Sequence, residues 1–290
     1  MELHKTPERT KSGFVLLDQN MRLVKPVNEY LDFQALRGRA ENTLLAYGKD
    51  LKTFFEFLEQ RKLQYDQVTA NMIRDYVEYL RAPDVNTVYL FVESKRSPAT
   101  INRMISTLHG FYGYHVSMYG IVNPVITEDI NSPNGIFRGI LYHTRKSNYT
   151  RQSVFKVKES EYRIHLFTTT EMRQMHDVLP TARDKLLFKF LLQSGARISE
   201  ALSLRIEDIP VPDISSDISV LRHVKSKGRY RDIYIPTELL IDLDNYILDN
   251  CLSTKFGHDY IFASQHRHFQ GKPISYRGIY EVFKLSLIHI

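Results

Sequence analysis

The sequence predicts a mainly α-helical protein of two domains: an N-terminal helical bundle, then a mostly helical α+β domain with a small antiparallel sheet. Three observations predict this. The chain has 290 residues, and at roughly 100–200 residues per domain two domains fit. Apolar residues recur every three or four positions along much of it, the period of a buried helix face. The stretch from Ile218 to Ile235 instead alternates with period two around a basic turn, the pattern of a hairpin.

The elements follow in order. Residues 1–24 read as an extended lead-in, with Phe14-Val15-Leu16-Leu17 as a short strand. A helical bundle spans 25–122. Asn42 stands where an N-cap belongs, ahead of Leu44, Tyr47, Leu51, Phe54, Phe55 and Leu58 on one face. A second helix runs from about Thr69 to Leu80 through Ile73, Tyr76 and Val77. A third starts at Ser97 with Pro98 in its first position and buries Ile101, Met104, Ile105, Leu108, Phe111 and Tyr112. Asn123-Pro124 and Asn131-Ser132-Pro133-Asn134-Gly135 break the pattern. Residues 123–163 read as a basic interdomain linker, with Arg138, Arg145, Lys146, Arg151, Lys156 and Lys158 and no acidic residue between the first and last of them.

The second domain, 164–290, opens with a capping-box pair, Thr168 and Glu171. A buried helix carrying Leu186, Leu187, Phe190 and Leu191 stops at Gly195, and another follows at Ile198. After the hairpin come a helix from about Thr237 to Leu248 and a last one from about Ser275.

Composition narrows the function. Hydrophobic residues are 43% of the chain, enough for ordinary cores. There is no apolar run of about 18 residues, and the N-terminus lacks the apolar stretch of a signal peptide, so the expectation is a soluble cytoplasmic protein without a membrane partner. Cys251 is the single cysteine, which excludes an intramolecular disulfide and argues against a cysteine-built zinc site. The net charge of +6 and pI near 9.2 favour an acidic partner, of which nucleic acid is the commonest.

Two segments carry chemistry. In Gly195-Ala196-Arg197-Ile198-Ser199-Glu200 an arginine follows the helix-ending glycine, and Glu200 lies one helical turn on. Such an arginine offers a phosphate two charge-assisted hydrogen bonds, with the glutamate bracing it from behind. Taken alone, the motif fits better an arginine at a helix end with a surface partner. At the hairpin tip, Lys225 and Lys227 fit either a solvated turn or a lysine that reaches a phosphate and gives a proton to a leaving oxygen.

The series from Ser194 through Arg197 and Glu200 to Leu204, then Ser226-Lys227-Gly228-Arg229-Tyr230-Arg231 running to Pro236, resembles the catalytic domain of the tyrosine recombinases, or phage integrases. Residues 42–58 and Ser97-Pro98-Ala99-Thr100-Ile101-Asn102-Arg103 resemble helices of that family's SAM-like core-binding domain, and the likeness is nearer to the integrase-like transposases of mobile elements than to phage enzymes. The resemblance implies DNA recombination or integration by strand cleavage and rejoining. A tyrosine hydroxyl attacks a backbone phosphate, a 3′-phosphotyrosine forms and the 5′-oxygen leaves as a hydroxyl, without metal, ATP or other cofactor. Arg197 takes the place of a phosphate-holding arginine, Lys227 that of the lysine that protonates the leaving oxygen, with Lys225 as the alternative, and Glu200 that of the acidic brace. The basic linker would lie along duplex DNA.

Other family features have no match among these residues. The His-x-x-Arg box and the nucleophilic tyrosine should lie beyond Lys284; His289 comes too soon, and Tyr276 and Tyr280 read as packing or surface tyrosines. The expectation is therefore a C-terminally incomplete copy that binds DNA without cutting it. The alternative is a non-catalytic DNA-binding protein that regulates a complete recombinase. The expected partners are double-stranded DNA and further copies of the chain, with no small-molecule substrate. A metal-dependent nuclease is a poor fit, since no carboxylate cluster suits two metal ions, and His266-Arg267-His268 reads as a polar loop rather than a metal site.

Overall fold

The structure, a computed structural model, describes residues 1–6, 10–82, 96–131, 149–159, 166–226, 228–251, 259–264, 266, 268–269 and 271–288. The chain divides into two compact units, Met1–Tyr162 and Arg163–Ile290.

Among the described residues, unit 1 is built on the helices α1 (Lys25–Leu36), α2 (Glu41–Gln60), α3 (Ala70–Arg81) and α4 (Pro98–Tyr119). The strongest local signals held. Ser97 Oγ accepts from the Thr100 amide at 3.3 Å to start α4, and Gly120 ends it in the left-handed conformation. The predicted cap of α2 is displaced. That helix starts at Glu41 behind Ala40, with no side-chain cap, so Asn42 lies in the first turn. The core is aromatic: Phe54, Phe57, Tyr76, Phe111 and Tyr112 are almost wholly buried. Several meet edge to face, such as Phe54 and Tyr76 at 5.0 Å between centroids, the arrangement aromatic quadrupoles favour. One buried charge ties α2 to α4. Asp50 accepts from Arg103 at 2.5 Å and from Thr107 at 2.9 Å.

The N-terminal lead-in carries the strand expected at Phe14–Leu17 and a second one before it. Strand β1 (Glu2–Lys5) pairs antiparallel with β2 (Phe14–Leu17), and Phe14 and Leu16 enter the core. Asn28 seats β2 by pairing with both backbone groups of Leu16, at 2.8 and 3.0 Å. Strand β1 passes so close to α2 that a side chain at Gly48 would meet Leu3 at 2.9 Å.

The described part of the segment read as a linker also belongs to unit 1. Strand β3 (Thr127–Asn131) pairs with β4 (Tyr149–Ser153), and Phe155 and Val157 pack against the core. These two apolar residues have a bundle face to cover, which the charges along the segment do not reveal.

Unit 2 holds α5 (Thr169–Val178), α6 (Ala182–Ser194), α7 (Ile198–Leu202), the hairpin β5 (Ile218–Ser226) and β6 (Arg229–Pro236), α8 (Thr237–Tyr246) and α9 (Tyr276–Ile288). The capping box of Thr168 and Glu171 is formed in both directions. Ser275 Oγ accepts from the Gly278 amide at the start of α9. Leu187, Phe190, Leu221, Ile233, Ile235, Leu239, Leu243, Ile261 and Phe262 form the core. A register shift between Leu221 and Val224 bulges the hairpin, with His223 at φ 55°. None of the described helices is long and apolar enough to cross a membrane.

Truncating Phe54 to alanine removes a ring with no solvent contact. We expect F54A to lose about 3–5 kcal/mol of stability, read as a lowered urea midpoint at unchanged slope.

Candidate functional site

The site in unit 2 is built where α6 ends. Gly195 takes φ 58°, which an L-residue adopts only with strain, and this turns the chain so that Arg197 precedes α7. The side chain of Arg197 is 61% exposed, while that of Glu200 has no exposure at all. Glu200 receives four hydrogen bonds from two arginines. The Arg197 backbone amide donates at 2.8 Å and its Nη1 at 2.9 Å. Arg231, on β6, donates from Nε at 3.1 Å and from Nη2 at 2.6 Å, a side-on fork across both carboxylate oxygens. Arg197 Nη1 also donates to Ser226 Oγ at 3.1 Å, which ties it to the hairpin tip.

Burial alone would raise the Glu200 carboxyl. Hydrogen bonds from Arg231, Ser226 and Arg197 outweigh it and hold the group at about 2, against an ordinary 4.5. The Arg231 guanidinium is pushed up by the same contact. The cluster carries two guanidiniums and one carboxylate, a net charge of +1, beside a basic hairpin tip. Such a centre is suited to accept an anion.

The structure brings Arg197 and Glu200 together as the motif suggested. Arg231 belongs to the hairpin motif, but the sequence alone assigns it no role. Its signal was alternation: Val224 and Arg231 are opposite one another in the ladder and so share a face, Val224 is buried, and a cation on a core-facing position needs an acidic partner. The same alternation separates Lys225 from Ser226. Lys225 is exposed opposite Tyr230, on the face away from Ser226 and Arg197. Lys227 lies outside the described residues. Tyr276 and Tyr280 are half exposed or more and stack on each other with centroids 6.1 Å apart. His289 lies outside the described residues.

Of the basic stretch in unit 1, Arg138, Arg145 and Lys146 fall outside the described residues. Arg151 pairs with Asp129 directly across the β3–β4 ladder at 3.4 Å. The acidic strand opposite, with Glu128 and Asp129, was missed because counting charges along one segment ignores its ladder partner. Lys156 and Lys158 are exposed. The His266 and His268 rings stand 5.6 Å apart, and among the described residues no group of three potential ligands is placed to hold a metal.

Against known proteins, residues 27–117 match the family model described as Phage integrase, N-terminal SAM-like domain, and residues 165–289 the one described as Phage integrase family. Transposase A from transposon Tn554 of Staphylococcus aureus is 28% identical over 278 residues, which cover 93% of this chain and 76% of the relative. Tyrosine recombinase XerC of Staphylococcus epidermidis is 27% identical over 248 residues, covering 84% and 69%. Among solved structures, the Tn1549 transposon integrase in complex with transposon right end DNA gives a TM-score of 0.59 at 15% identity, covering 91% of this chain and 78% of that one. A lambda integrase dimer bound to a COC′ core site gives 0.56 at 16% identity, covering 90% and 63%. At those identities the likeness is one of fold.

The folded-state pKa of Glu200 lies below its unfolded value, so its contribution to stability is complete above about pH 4.5 and is lost as pH falls toward 2. We expect E200Q to flatten that acid-side loss in thermal unfolding. At neutral pH it should lose on the order of 2 kcal/mol, a figure moderated because both arginines reach solvent.

Proposed function

Because the chain belongs to the phage integrase family, the tyrosine recombinases, we propose that it acts in site-specific DNA recombination or integration of a mobile element, with its unit 2 site as the cradle of the scissile phosphate. The observation that carries the proposal is the exposed Arg197 guanidinium, held from behind by the buried Glu200. Its Nη1 is committed to Glu200 and Ser226, and its remaining N–H groups are the ones a phosphate oxygen would take. Preorganised donors of this kind stabilise charge as it builds on phosphorus without reorganising at the moment of reaction.

Lys227 is our assignment for the lysine that protonates the leaving 5′-oxygen. What supports it is its place in the motif next to Ser226, which touches Arg197; Lys225, exposed opposite Tyr230, stays the alternative. In the reaction, a tyrosine oxygen bonds to phosphorus, the bond from phosphorus to the 5′-oxygen breaks, and that oxygen takes the lysine's proton. No residue among these 290 is matched to the nucleophile. We therefore propose that this polypeptide by itself binds and holds duplex DNA without cutting it, in the cytoplasm and alongside further copies of the chain. In that state it would occupy recombination sites and direct a complete recombinase.

The test is binding to duplex DNA across a salt series. Affinity should fall with salt at a log–log slope of about −0.9 per phosphate neutralised. R197A should make the slope shallower by about 1 and weaken binding on every duplex tested; a flat salt profile for the unaltered chain would remove the proposal. Incubation with a nicked suicide duplex should leave no covalent protein–DNA adduct, and an adduct would show that the 290 residues do contain a nucleophile.

A further inference from the structure

Asn102, half-buried on α4, has every hydrogen-bonding group of its side-chain amide in use. Its Oδ1 accepts from the Val157 amide at 2.8 Å, and its Nδ2 donates to the Val157 carbonyl at 2.9 Å and to Glu159 Oε1 at 2.7 Å. The side chain thus pairs with both backbone groups of one residue, as a neighbouring strand would. Asn28 does the same to Leu16, so this fold uses the device to seat extended chain on a helix.

What differs at residue 157 is the segment being seated. Phe155 and Val157 turn toward the unit 1 core, while Lys156 and Lys158 are exposed. This is period-two alternation, in which a slip of one residue exchanges the two faces. Among the described residues neither lysine makes an ion pair, in contrast with Arg151, which Asp129 neutralises. Residues two apart lie at most about 6.6 Å apart along the chain, so the two lysines are within reach of phosphates that neighbour one another on one DNA strand.

We propose that Asn102 is a positioning residue for DNA binding: by gripping Val157 it fixes the register that presents Lys156 and Lys158 as a pair of ligands for adjacent backbone phosphates. This rests on the reading of the chain as a DNA-binding recombinase and adds to it the side chain that makes part of the basic stretch a preorganised contact. Phosphate contacts of this kind set register and orientation on the duplex and carry no sequence information, so the effect should be the same on any duplex.

The experiment compares duplex affinity across a salt series for the full chain, the double variant K156Q/K158Q, N102A, and the three combined. The double variant should make the log–log slope shallower by about 1.8, two phosphates at about 0.9 each. N102A should approach that change although it removes no charge, its amide at Val157 should lose protection from hydrogen exchange, and adding N102A to the double variant should change nothing further. Should N102A fail to fold, N102L fills a similar volume without charge or hydrogen-bonding groups, and is expected to behave the same way. An unchanged slope in a folded N102 variant, with K156Q/K158Q reduced, would show that the lysines need no register and overturn the proposal. Unchanged slopes in both, with a steep slope in the unaltered chain, would overturn it by showing that DNA is bound elsewhere. A flat slope in the unaltered chain would instead be a failure of the DNA-binding reading itself.

Discussion

A carboxylate with no solvent contact, Glu200, is the constraint on which the unit 2 site depends. Burying such a group costs several kcal/mol unless donors surround it. Here four N–H donors do so, and they come from two places far apart in sequence, Arg197 before α7 and Arg231 on β6. Satisfying one buried charge therefore joins the turn after α6 to the basic hairpin. The surplus positive charge is left on the solvent side, where Arg197 is 61% exposed. A glutamine could keep part of the geometry, but it would trade an ionic acceptor for a neutral amide and leave both guanidiniums under-paired.

Unit 1 shows the same logic with opposite outcomes. Asp50, also buried, holds Arg103 and Thr107 and so ties α2 to α4. Burial raises its carboxyl, and Thr107 and Arg103 oppose that rise, so the pair reads as structural. Arg151 is drawn to Asp129 across a ladder. Lys156 and Lys158 are displayed, because the apolar residues Phe155 and Val157 between and before them are turned to the core. A basic stretch is thus divided by its surroundings into neutralised and available charges.

Much of this was legible in the sequence. The helices around Leu44–Leu58, Ile101–Tyr112 and Leu186–Leu191 were readable from their period, and Ser97, Thr168 and Gly195 marked their ends, because caps and left-handed glycines are decided locally. Arg197 and Glu200 were readable as a pair for the same reason, lying one turn apart. What escaped was non-local. Arg231 is 31 residues from Glu200, Asp129 faces Arg151 only through strand pairing, and Asn102 reaches Val157 across 55 residues. In the lead-in the Phe14–Leu17 strand was legible, while its partner β1 was not, because β1 is short and polar and its seat depends on Gly48 allowing Leu3 close to α2.

The most direct test of the account is a double-mutant cycle on duplex affinity, with E200Q, R197A and both together at one salt concentration. If Glu200 acts by holding Arg197 toward a phosphate, E200Q should weaken binding although it removes a negative charge, and it should have little further effect once Arg197 is gone. That predicts a coupling of about 1 kcal/mol or more. Effects that add to within about 0.3 kcal/mol, or tighter binding by E200Q from simple loss of negative charge, would contradict it.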